Sequence, residues 1–546
     1  MDQSTRASTR NQLHSLRDRL VRTAGLPFLD ILARPLVEAI CRRCNHRWRN
    51  RVYTPWITLN VFLAQILSDD HSCDDAVDRL QKFRHDQGLA SVAPDTGSYC
   101  EARQRLPEDL FWDLVRRTGR AIHQQARSSW LFHGRPVKVV DGSTVVMPDT
   151  PANQKVYPQA ATQAPGLGFP IARILVVFSL AVGTVLDAAV GPYQGKQTSE
   201  LALLRQITTA FGPGDIVLAD RFFCSYWLIA AFQARGVDVL VRLHQRRAAD
   251  FRRGRRLGRE DHLVTWPRPL QAPDWMSRAE YDAMPAELTV REIRIRVADK
   301  TKRVRNLVIA TTLRDPKAYP AEDLRGLFRQ RWHAELDLRA LKTEMQMEML
   351  RTKSPAMVRK EIAGHLLAYN LIRGIMAEAA AAEKVKPRRL SFKGALHTVR
   401  AFEESHLYDP SRIRADLPKL IELIGKKRVG DRPDRYEPRA VKRRPKPHPL
   451  LTMPRAEAKR LIKLGMIPYN KASDETSSRS RAKSSSVLSW KFGTKLVPTL
   501  RVGMPSPTLC VVFGSIIAAR RRRGASETAF PRRTVGTSFS GTLERL

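Results

Sequence analysis

Between residues 135 and 245 the apolar residues fall into an ordered series of runs, and that order restricts the fold more than any other feature. RPVKVVDGSTVVMP reads as a strand reaching Asp141, followed by a glycine-containing turn. ARILVVFSLAVGTVLDAAVGPY reads as two strands joined around Gly183, and TSELALLRQITTAF has helical spacing. DIVLADRFFCSYWLIAAFQARGVDVLVRLH then reads strand, helix, strand, with Asp220 just past the end of its strand. An antiparallel start followed by strand–helix–strand crossovers predicts an α/β fold, a mixed sheet flanked by helices.

The flanking segments follow different periods. Residues 25–130 carry apolar residues at three-to-four spacing and read as helices, basic enough for a DNA-binding region over 1–130. Core strands and helices occupy 131–245. Over 246–320 the period drops to two, as in LTVREIRIRVADKTKRVRNLVIATTL, predicting a β-rich insertion. Helical spacing resumes in a second core segment, 321–405, through residues 355–384, and again at 410–425. A basic C-terminal region, 406–471, holds the strap KKRVGDRPDRYEPRAVKRRPKPHP and a last helix in LTMPRAEAKRLIKLGMI. From 472 to 546 no period is sustained, which predicts a disordered tail.

One helix is predicted over LFRQRWHAELDLRALKTEM, residues 327–345. At roughly 100° per residue, Glu335 lies about 40° from Arg331 and Lys342 about 20°, with Phe328 within about 60° of that line. Trp332 faces the other way and is expected in the core. The stripe reads either as an exposed, salt-bridged face or as an acid-and-base line built for chemistry.

Charge separates partner classes. The chain has 94 Lys and Arg against 54 Asp and Glu, a net charge of +40, which calls for a polyanionic partner such as nucleic acid. No run approaches 18 apolar residues, and the N-terminus lacks a signal-peptide core, so membrane attachment is not expected. Six scattered cysteines make no disulfide framework and fit a reducing cytoplasm. Cys41, Cys44 and His46 would need a second ligand pair to hold zinc, so buried thiols are the expectation there. Trp266 and Trp275 offer surfaces for an unpaired base, with packing the simpler use of each.

Three carboxylates stand out by position: Asp141 and Asp220 at strand ends, and Glu335 on the later helix. Ligands gather at the carboxyl edge of such sheets, and converging acid oxygens suit Mg²⁺. Two ions would stabilise the attacking and leaving oxygens of a phosphoryl displacement, with Arg331 and Lys342 on the phosphates. Each acid also has a plain structural reading, Asp141 as a turn residue and Asp220 as a helix cap.

Phe328, Arg331, Glu335 and Lys342 match the spacing Tyr-x2-Arg-x3-Glu-x6-Lys, and with Asp141 in VVDGSTV and Asp220 in LADRFF the chain resembles the DDE transposases of the insertion sequence 4 (IS-four) family. The resemblance spans roughly residues 20–465, including SYCEARQRLP and RRPKPHPLL. Phe328 departs from the family's Tyr, keeping the ring and losing a hydroxyl. The resemblance implies a ribonuclease-H-like core, with Asp141, Asp220 and Glu335 as catalytic metal ligands and Phe328, Arg331 and Lys342 contacting DNA. It further implies Mg²⁺ (or Mn²⁺), a dimer on DNA, a hairpin intermediate, and joining of terminal inverted repeats to target DNA in a bacterial, nucleoid-associated setting. Two alternatives stand beside it: a catalytically inactive DNA-binding remnant or repressor, and a nuclease without strand transfer.

Overall fold

The computed structural model describes residues 32–86, 88–196, 198–298, 304–407, 413–430 and 452–467, all within a unit spanning Met1–Ser473. The tail after 472, and most of the basic strap, lie outside the described residues.

Among the described residues, helices α1 (Arg34–Arg43), α2 (Pro55–Leu67), α3 (Cys73–Asp86), α4 (Gly97–Arg105) and α5 (Glu108–Gln124) precede the sheet. Local chemistry sets their starts: Thr54 caps α2 by accepting from the Ile57 N–H, and Pro55 fills the first turn, where no N–H is needed. Nearly every residue of α2 is buried, so this helix is interior rather than a charged surface element.

The strands are β1 (Val137–Val146), β2 (Ile171–Ser179), β3 (Val185–Pro192), β4 (Ile216–Ala219), β5 (Asp238–Arg242), β6 (Arg255–Gly258), β7 (Asp261–Pro267), β8 (Glu287–Ala298) and β9 (Val304–Thr311). They form one nine-stranded sheet in the order β3-β2-β1-β4-β5-β9-β8-β7-β6. Helix α6 (Pro151–Val156) follows β1, α7 (Glu200–Gln206) links β3 to β4, α8 (Tyr226–Gln233) links β4 to β5, and α9 (Arg278–Ala283) precedes β8. β1, β2 and β3 pair antiparallel, while β4 runs parallel to both β1 and β5. The first five strands are the expected ribonuclease-H-like mixed sheet. Gly183, at φ +83°, makes the β2–β3 turn in a conformation that suits glycine.

One expectation is corrected here. β1 does not stop at Asp141 for a turn; it runs on to Val146, because β2 pairs with it from Lys138↔Ser179 to Val146↔Ile171. The β-rich segment after residue 245 joins the core sheet, since β9 pairs with β5 (Leu240↔Thr311).

After the sheet come α10 (Ala321–Arg329), α11 (Trp332–Arg339), a π-helical turn (Ala340–Glu344), α12 (Pro355–Ala382), α13 (Phe392–Leu407), α14 (Ile413–Lys426) and α15 (Arg455–Lys463). The single helix expected over 327–345 is therefore broken. At the junction the N–H groups of Gln330, Arg331, His333 and Ala334 each bond to the carbonyl three residues back, which tightens the chain and resets the side-chain directions.

Core residues cover both faces of the sheet: α5, α11 and α12 pack on one, α7 and α8 on the other. α12 is buried along most of its length. Its Asn370 accepts from the Val185 N–H (2.7 Å) and donates to the carbonyls of Val185 (2.9 Å) and Val115 (3.1 Å), tying helix to sheet. Among the described residues, no helix is long and apolar enough to cross a membrane.

Candidate active site

The last β1–β4 pair is Val139↔Leu218, and β4 ends at Ala219. Continuing that register by two residues puts Asp141 level with Asp220, on strands spaced about 4.8 Å apart. Val137, Val139, Val145, Ile216 and Leu218 all enter the core cluster that includes Ala334 and Leu338 of α11. By the two-residue alternation, Asp141 and Asp220 belong to that same face. Asp141 thus sits where the parallel pairing ends, although its own strand continues.

Glu335 approaches from α11, which packs on β1. Arg331, at the α10–α11 junction, donates to a Glu335 carboxylate oxygen at 2.6 Å, and its other nitrogen stands 4.0 Å from Asp141 Oδ2. One guanidinium therefore faces two of the expected acids. Asp220 accepts from the Arg221 N–H at 2.6 Å and caps a short 3₁₀ turn, Arg221–Phe223. Its structural reading as a cap is realised there.

Burial pushes the Asp141 carboxyl up to about 7, opposed by Arg331 and the Gly142 N–H, and reinforced by Glu200 and Glu335. Glu200 is a fourth acid that the sequence reading passed over. It opens α7 behind the Ser199 cap, where a first-turn Glu is unremarkable. Burial raises its own carboxyl as well, with Arg173 opposing and Asp220 reinforcing. The overlooked signal is Gly142, a glycine inside a strand beside Asp141, which often marks a close approach.

This donor set is all oxygen, which suits a hard divalent cation, and its mutual repulsion is what a cation would relieve. As the side chains stand, no three His, Cys, Asp or Glu among the described residues are gathered closely enough to hold an ion. Arg331 lies against Asp141 and Glu335 instead, so loading an ion would require that guanidinium to move off Asp141. The chemistry of the set fits a cation; its present arrangement is held by arginine.

The remaining expected residues divide. Lys342 lies on the π turn and pairs with Glu348 at 3.5 Å, near the end of β1, where Val146 bonds to Glu348 and Leu350. Phe328 belongs to α10 and is 8 % exposed, packed with Leu324 and Leu327 in the core. The helix break separates it from the segment that carries Glu335. Trp332, expected in the core, is 56 % exposed on α11. Asp337, which the sequence reading did not single out, is fully buried between Arg373 and Arg388 and anchors the helix that carries Glu335.

Trp266 is buried and donates to Glu292 (3.1 Å), whereas Trp275 is partly exposed under the Arg205 guanidinium, 4.0 Å from its ring centre. Cys41 lies in the core, and burial pushes its thiol up to about 12.

Residues 132–371 match the family model described as the transposase DDE domain, a span that contains all four acids. The chain is 28 % identical over 368 residues to the Escherichia coli (strain K12) protein "Transposase InsG for insertion sequence element IS4", covering 66 % of this chain and 78 % of that one. A piggyBac transposase, solved in a synaptic complex with hairpin DNA, aligns at TM-score 0.35 and 10 % identity over 72 % of this chain and 80 % of its own. That similarity is too slight to carry an argument. The domain match and the relative point the same way: both support a DDE transposase similar to those of the insertion sequence 4 family.

Proposed function

We propose that this transposase binds the terminal inverted repeats of its own element, hydrolyses a DNA strand at each end and joins the freed 3′-hydroxyl to target DNA. The observation that carries the reading is the meeting of Asp141 and Glu335 on one guanidinium, with Asp220 just past the end of β4, the strand that runs parallel to β1. Asp141, Asp220 and Glu335 would hold the divalent metal, with Mg²⁺ in two sites as the specific assignment and Mn²⁺ as a substitute. Such ions neutralise phosphoryl oxygens and supply an activated water when bound. Arg331 and Lys342 would orient the scissile phosphate from either end of α11 and the π turn.

The helical region up to residue 130 would grip the repeats, and the sheet extension after residue 245 would lie along flanking DNA. The basic balance of the chain, +40, supports polyanion binding through many phosphate contacts. Pairing two element ends implies a dimer assembled on DNA, acting at the nucleoid of a bacterial cytoplasm.

The test is nicking of DNA that carries the element's ends. Cleavage should require Mg²⁺ or Mn²⁺ and stop on chelation. Asp141→Asn, Asp220→Asn and Glu335→Gln should each abolish cutting while end binding stays within a fewfold of wild type, since affinity comes mainly from Lys and Arg at phosphates. Cutting that survives exhaustive chelation, or any one of these variants cutting at the wild-type rate, would remove that assignment.

A further inference from the structure

β1 carries glycine at its centre, beside Asp141, without a backbone reason for it. Gly142 is absent from the positive-φ glycines, which include Gly134, Gly166 and Gly183, and it pairs in regular register with Leu175. Glycine inside a strand costs stability, and it commonly marks a place where something approaches the backbone. Here the approaching group is identifiable. A Cβ at position 142 would lie 2.4 Å from a Glu200 carboxylate oxygen and 2.5 Å from the carboxyl carbon.

The topology explains how Glu200 arrives there. β4 stops at Ala219, so beyond Val139 β1 has no parallel neighbour on that side. α7 packs on β2 and β3 from the face opposite α11. Its first residue reaches the sheet where β4 has ended, over Gly142 and within electrostatic range of both Asp141 and Asp220. Asp215 is satisfied by Lys138 (2.5 Å) and Glu361 by backbone N–H groups. Those acids have close structural partners that account for them, whereas Glu200 lies between the Arg173 charge and the acid centre.

We propose that Glu200 is a fourth carboxylate of this centre, positioned by α7 and admitted by Gly142 to share the divalent cation assigned to Asp141 and Asp220. The inference rests on the metal site proposed above. It predicts that the cation is approached from both faces of the sheet: Asp141, Asp220 and Glu335 on the α11 side, and Glu200 on the α7 side.

Mn²⁺ binding to the full-length, metal-free protein tests it, read by calorimetry or by the paramagnetic signal of free Mn²⁺, alongside single-turnover nicking. Glu200→Gln should weaken Mn²⁺ binding roughly tenfold to a hundredfold, the range for groups that support a metal site, and shift the Mn²⁺ dependence of nicking upward. Glu200→Asp should fall between the two. Gly142→Ala, which leaves every acid in the chain, should weaken Mn²⁺ binding by pushing the Glu200 carboxylate aside.

The metal-free Glu200→Gln protein should melt no lower than wild type, because a buried charge without a cation is removed. Unchanged Mn²⁺ affinity in Glu200→Gln overturns the proposal, as does a lowered melting temperature with no loss of Mn²⁺. Asp141→Asn, measured in parallel, separates the two levels. If it loses Mn²⁺ and Glu200→Gln does not, the fourth ligand fails alone; if neither changes, the metal site fails with it.

Discussion

Arg331 faces two carboxylates at once, bonded to Glu335 and standing 4.0 Å from Asp141, so its removal acts on the acids as well as on any phosphate it would hold. Lys342 pairs with Glu348. Both variants should bind terminal-repeat DNA nearly as wild type, since one phosphate contact changes the salt slope by only about one unit. Cleavage should respond differently. Arg331→Ala should cut on the order of a hundredfold more slowly, the effect of a reacting group displaced by about 1 Å, and Lys342→Ala should show a smaller defect. Single-turnover rates on one DNA substrate decide it, and near-wild-type cutting by both variants would return this segment to an ordinary exposed ion-paired face. At this scale the sequence singles out candidate residues by their spacing but is a poor guide to their neighbours. The spacing of Arg331, Glu335 and Lys342 was legible; the core placement of Phe328 and the exposure of Trp332 were not, because the one helix expected to carry both is broken at Gln330–Arg331.

Glu335 is only as well placed as α11, an element of eight residues. Too short to hold itself in water, it is anchored by Asp337, which accepts two bonds of 2.7 Å from Arg388 and another from Arg373 on α12. Removing the carboxylate would strand two guanidinium groups in the interior. Asp337→Leu should therefore cost about 3 kcal/mol or more and lower the thermal midpoint measured by calorimetry, with cleavage impaired even below that midpoint. A midpoint within a degree of wild type would show that α11 is held by packing alone. The long, nearly all-buried α12 was readable as a helix over residues 355–384, but α13 was not separately predicted. The helix starts at Thr54–Pro55 and Ser199–Glu200 are local signals, which is why they survive translation into structure; the pairing of β9 with β5 is set by residues about 70 positions apart, and no local signal carries it.

For the molecule as a whole, pH dependence has a further source away from the acid centre. Glu378 on α12 is pushed up from the ordinary 4.5 to about 7 by burial alone. An acid whose pKa is raised on folding contributes stability that is complete below pH 4.5 and is lost as pH rises through 7. Wild type should accordingly lose about 1–3 kcal/mol of stability across that window from this residue, and Glu378→Gln should exceed wild type at pH 8 while matching it near pH 4. Denaturant melts at the two pH values measure this, and equal stabilities at pH 8 would mean that Glu378 is solvated. By itself the sequence determined the order of the five core strands, the polyanion-seeking charge, and the spacing that singles out Asp141, Asp220 and Glu335, because each of these is written in periodicity, composition or fixed spacing. Only the tertiary structure decided that β1 runs past Asp141, that the insertion joins the core sheet, that Arg331 stands between two acids, and that Glu200 lies over Gly142. Each of those depends on where β4 stops and on which distant segments meet, a matter of long-range pairing that no window of local sequence contains.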